Sequence, residues 1–220
     1  MSYLDTLGEL VLIASLLMFI ISINKTSKFD SPFRNYLTIA LLFIVVTASF
    51  GAARFAGVEQ LISIHDLLSL ISAKLAMVVY VFSLPVVMLS QVLNRNYKDL
   101  EELSINFSIS PFKVIKLAKS AMVAILAFNV LAIIFDIQAA NLLSDVAVIL
   151  GFLLFSLITK EKALVYGAIV ALVLVPASTQ LHISSDLSMA VFHLLLALHF
   201  WLINKVFVNF TKGQVFAQVS

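Results

Sequence analysis

The stretch LDTLGELVLIASLLMFIISINKTSK, residues 4–28, decides the fold class. Residues 4–24 are apolar over a length that, at about 1.5 Å per residue, spans a hydrocarbon core of roughly 30 Å as one α-helix. The run is followed by Lys25 and Lys28. It is preceded by neither a basic n-region nor a small-residue cleavage site, so it is expected to remain in the mature protein. Six further runs of the same character follow at about 35–57, 67–93, 113–135, 138–159, 163–181 and 187–208. The expected fold is all-α: a polytopic membrane protein, a single seven-transmembrane-helix bundle covering residues 1–220.

Composition points the same way. Of 220 residues 62% are apolar and 12% charged, and the mean hydropathy is +1.09; soluble domains carry about 25% charged residues. A formal charge of +2 gives no reason to expect nucleic acid. Cysteine is absent, which excludes disulfides, thiolate metal sites, iron–sulfur clusters and cysteine nucleophiles. Ser31-Pro32 and Ser110-Pro111 place a capping hydroxyl and a first-turn proline ahead of the second and fourth runs. Pro85 falls inside the third run, where a kink is expected, and Pro176 near the end of the sixth. The longest polar connection, 94–112, has room for a short surface helix at most.

Positive charge sets the orientation, because cytoplasmic loops retain Lys and Arg. Lys25, Lys28 and Arg34 lie in the first connection; Arg95, Lys98, Lys113, Lys116 and Lys119 lie around the third; Lys160 and Lys162 lie in the fifth; Lys205 and Lys212 lie near the C-terminus. The other connections carry acids such as Glu59, Asp66, Asp136 and Asp186. Seven crossings with the N-terminus outside and the C-terminus cytoplasmic satisfy this alternation, and the expected location is a bacterial inner (plasma) membrane.

Ionisable groups within such helices cost on the order of 2.5–3.5 kcal/mol each at the bilayer centre, so each is a functional candidate. Counted from the outer helix ends, Glu9, Lys74, Asn129, Asp145 and His193 fall roughly 8–12 Å deep, with Arg54 shallower. A shared depth predicts one polar layer, either a set of ion pairs pinning the helices or an outward-facing pocket for a small polar or lipid-derived ligand. The pocket reading takes Glu9, Arg54, Lys74, Asn129, Asp145 and His193 as ligand-binding residues of a binding, sensing or translocating protein. Its partners would be the bilayer, that ligand, and a membrane or cytoplasmic protein to pass a signal on.

Four histidines suggest a second reading. His65 and His182 are placed in outer connections, and His193 and His199 on the last helix, about 240° apart around it at ~100° per residue. A zinc site could draw on His65, His193 and Asp66 or Asp145. Seven helices with Ser63, His65, Asp and His193 near one face resemble, in architecture only, the CREST superfamily of zinc-dependent membrane hydrolases acting on lipid amides or esters. That family carries Ser and His on the second helix, an acid on the third, and two His separated by three residues on the last. This chain has Lys74 in the third run and five residues between His193 and His199. Retinal is not expected, because the last helix lacks an embedded Schiff-base lysine, nor is haem, because His193 and His199 lack an obvious second axial partner.

Overall fold

The computed structural model describes residues 2–26, 32–93, 111–135, 146, 149–153, 162–170 and 185–211. Regular structure among them is helical: α1 (Tyr3–Thr26), α2 (Pro32–Phe55), a 3₁₀ turn (Glu59–Leu61), α3 (Ile62–Ile71), a π-helical segment (Ser72–Ala76), α4 (Met77–Leu93), α5 (Pro111–Ile134), α6 (Lys162–Ile169) and α7 (Ser185–Thr211). Five segments are long and apolar enough to cross a membrane: Tyr3–Lys25, Pro32–Phe55, Glu59–Ser90, Phe112–Ile134 and Leu187–Asn209. They correspond to the first four and the last of the runs expected from sequence. The other two, 138–159 and 163–181, lie largely outside the described residues, where residues 149–153 and α6 are helical.

Local chemistry explains the boundaries. Pro32 and Pro111 are the first residues of α2 and α5, where the missing N–H has no helical partner to lose. After α2 the chain reverses through Gly57, whose φ of 111° is in the region that only glycine enters freely. The tight reversal lets helix begin again at Glu59, so the third span starts eight residues before the expected 67. His65 and Asp66, read as loop residues because they are polar, lie on α3 instead. The helix continues through Pro85 within α4.

Side-chain pairs give the directions. Gly8 faces Ala190, and the rings of Phe19 and Phe207 are 5.7 Å apart, so α1 and α7 run parallel. Ser2 N–H donates to the Phe55 carbonyl at 3.0 Å, which makes α1 and α2 antiparallel. Ser83 approaches the Met122 sulfur at 3.6 Å and Asn129 approaches Lys74, which sets α5 antiparallel to the third span. Leu16, Phe19, Leu41, Tyr80, Leu84, Phe200 and Phe207 fill the interior. Leu17, Met18 and Ile21, Ile39 and Leu42, and Leu117, Val123 and Leu131 face outward. Apolar surface of that extent belongs against hydrocarbon.

Candidate functional site

Four helices converge on one carboxyl group near the Phe55 end of the bundle. Glu9 on α1 is 2% exposed. Its Oε1 stands 3.2 Å from Nε2 of His193 on α7 and 3.9 Å from Nε2 of His65 on α3. The room comes from Gly51 on α2: a Cβ there would meet the Glu9 carboxyl group and stand 2.9 Å from His65 Nε2. Phe55 closes one side, its ring 6.1 Å from that of His65 and 6.2 Å from that of His193.

Arg54 fixes the chemistry of the cluster. Its Nη1 is 2.8 Å from His65 Nδ1 and 2.6 Å from Asp66 Oδ1. A guanidinium only donates, so Nδ1 of His65 must accept and the ring proton belongs on Nε2. That N–H points toward Ser69 Oγ at 3.3 Å and toward Glu9. Glu9 and His193 then face each other across a distance that one proton can bridge, from either side. His193 Nδ1 is buried and has no hydrogen-bond partner among the described residues. The arrangement is a polar chain from exposed Asp66 through Arg54, His65 and Glu9 to an open nitrogen inside the bundle.

The expected polar layer therefore separates into parts. Glu9, Arg54 and His193 come together, joined by His65, which is 7% exposed and not the solvated loop residue expected. Lys74 is set at a different level. Because the third span begins early, Lys74 lies near the middle of its 32 residues, roughly 14 Å along the helix from His65. There, in the π-helical segment, its carbonyl accepts from Asn129 Nδ2 at 2.5 Å. Asp145 and His182 lie outside the described residues.

The metal set of His65, His193 and Asp66 is not assembled. Asp66 Oδ1 lies 3.6 Å from Nδ1 of His65, whereas the Glu9–His193 pair lies toward Nε2, on the other edge of the ring. With Arg54 donating to Nδ1, the proton on Nε2 blocks ligation there. Among the described residues no group of three His, Cys, Asp or Glu is placed to hold a metal ion. Asp145, the alternative acid for such a site, lies outside the described residues.

His199 belongs to a different neighbourhood. Its Nδ1 donates to the Gly167 carbonyl at 2.8 Å, so Nε2 accepts from the Tyr80 hydroxyl at 2.9 Å, and the rings of Phe152 and Phe200 lie 5.2 and 5.1 Å away. Both nitrogens are satisfied, and the residue joins α7, α6 and α4. Ser69 and Gly51 are the site residues that sequence reasoning missed. The i, i+4 spacing of His65 and Ser69 was the available signal, hidden by placing His65 in a loop. No family model, curated protein or solved structure matches the chain.

Proposed function

We propose that the chain is a seven-span plasma-membrane protein, N-terminus outside and C-terminus cytoplasmic, that binds, senses or translocates a small polar ligand at the Glu9–His65–His193 cluster. One observation carries the ligand reading: Glu9 is buried against imidazoles from two other helices while His193 Nδ1 stays unmatched among the described residues. A network that only pins helices gains most by satisfying every buried polar atom. An open nitrogen beside a shared proton suits a ligand that both donates and accepts hydrogen bonds, or a small cation held by Glu9.

Seven spans are supported by direction. Parallel α1 and α7 require an odd number of crossings, and α5 ends at the end of the bundle where α7 begins. The chain between them must therefore cross an even number of times. Phe152 and Gly167 both reach the level of His199, which fits one pass in each direction by runs 138–159 and 163–181. Lys25, Arg34, Lys113, Lys116 and Lys119 gather at the end away from the cluster, which the positive-charge rule makes cytoplasmic. The cluster then lies in the outer half of the membrane.

The test compares wild type with Glu9→Gln in lipid nanodiscs, by thermal shift against ammonium, alkali cations, amino acids and polyamines. At least one probe class should raise the melting temperature of wild type and not of the variant. If no probe separates the two proteins, the cluster is a structural pin.

A further inference from the structure

An apolar cavity of about 530 Å³ lies between α2, the third span and α5, well away from the Glu9 cluster. Its walls are helical stripes. On α2, Tyr36, Ile39 and Phe43 recur at i, i+3 and i+7; on α5, Met122, Val123 and Leu126 recur at i, i+1 and i+4. The back wall includes Leu75 and Ala76, which belong to the π-helical segment, a device common at functional sites. Along α2 the groove runs from Tyr36 to Phe43, roughly 10 Å, which stays within one leaflet of roughly 15 Å.

One end of this groove is polar. Lys119 continues the α5 stripe one turn beyond Met122 and Val123. Its ammonium lies 4.9 Å over the Phe33 ring, which is 5.5 Å from the ring of Tyr36. Lys113 and Lys116 add charge on the preceding turns. We infer that the groove is a binding site for one anionic phospholipid, with an acyl chain between α2 and α5 and its phosphate at Lys119 and the Tyr36 hydroxyl. Hydrocarbon walls ending in a cation at the depth of a headgroup match an amphiphile with negative charge at one end. A transmembrane helix of a second copy would gain nothing from an ammonium at that rim.

Native mass spectrometry of the detergent-solubilised full chain, titrated with dioleoyl phosphatidylglycerol or dioleoyl phosphatidylcholine, tests the site. Wild type should retain one phosphatidylglycerol in preference to phosphatidylcholine. Lys119→Gln should weaken phosphatidylglycerol about five-fold, the effect of one basic residue at an anionic surface, leave phosphatidylcholine unchanged, and be rescued by Lys119→Arg. Val123→Trp, at a position 63% exposed where the fold tolerates bulk, should weaken both lipids. An unchanged headgroup preference in Lys119→Gln, or unchanged retention in Val123→Trp, overturns the proposal. So does a lipid-free wild-type dimer that Val123→Trp converts to monomer, since that assigns the groove to a second copy.

Discussion

The Glu9 carboxyl group sits 3.2 Å from His193 and is roofed by Gly51, so small changes around it should have unequal effects. Gly51→Ala places a methyl group where the carboxyl group lies. The flexible end of Glu9 can swing away, but only by leaving the imidazoles. Expected in purified protein is a stability loss of about 1–3 kcal/mol with the fold retained and the Glu9-dependent ligand response gone. Asp66→Asn removes only the charge of a side chain that is 60% exposed, so denaturation should register less than about 1 kcal/mol. His199 makes the contrasting case. Tyr80→Phe leaves Nε2 of a fully enclosed imidazole without its donor, a loss of about 1–3 kcal/mol, and ligand response at the Glu9 cluster should be unaffected. If Tyr80→Phe is thermally silent, the bridge between α4, α6 and α7 is not what holds His199 in place.

Helix by helix, most of what sequence can say about this chain was legible, and the exceptions have one cause. Pro32 and Pro111 marked helix starts because their chemistry is local, and charge-poor runs marked the spans because hydropathy is additive along the chain. The start of the third span was misplaced because His65 and Asp66 are polar, and their compensation comes from Arg54, Ser69 and Glu9 on packed neighbours. The earlier start also sets Lys74 near the middle of the third span, about 14 Å along it from His65. Glu9, Arg54 and His193 were recognisable as ionisable residues inside apolar helices; the partners that give them a common site depend on packing that sequence spacing does not encode. The π-helical segment has its own test. Its Lys74 carbonyl accepts from Asn129 Nδ2 on α5, so Asn129→Leu and Asn129→Asp should both lose stability, by about 0.6–2 kcal/mol, because each lacks the amide donor. Full stability in Asn129→Asp would mean that the amide donor contributes nothing at this joint.

Across the molecule, the two ends carry different chemistry. At the Phe55 end α1, α2, α3 and α7 close around a carboxyl group and two imidazoles, whereas the Lys25 end gathers lysines and, on its flank, the apolar groove that leads up to Lys119. Between them lies the aromatic interior of Phe19, Tyr80, Phe200 and Phe207, without exposed surface on any of these four rings. That interior separates the polar cluster at one end from the cationic rim at the other. In the proposed orientation the Glu9 cluster is reached from outside the membrane. Because these 220 residues contain no cysteine, one introduced thiol among them reports without background. Ser69→Cys, beside His65 Nε2, should react in intact cells with a membrane-impermeant methanethiosulfonate, while Tyr80→Cys in the closed interior should not. A Ser69→Cys thiol that reacts only from the cytoplasmic side, or from neither side, would contradict an outward-facing site.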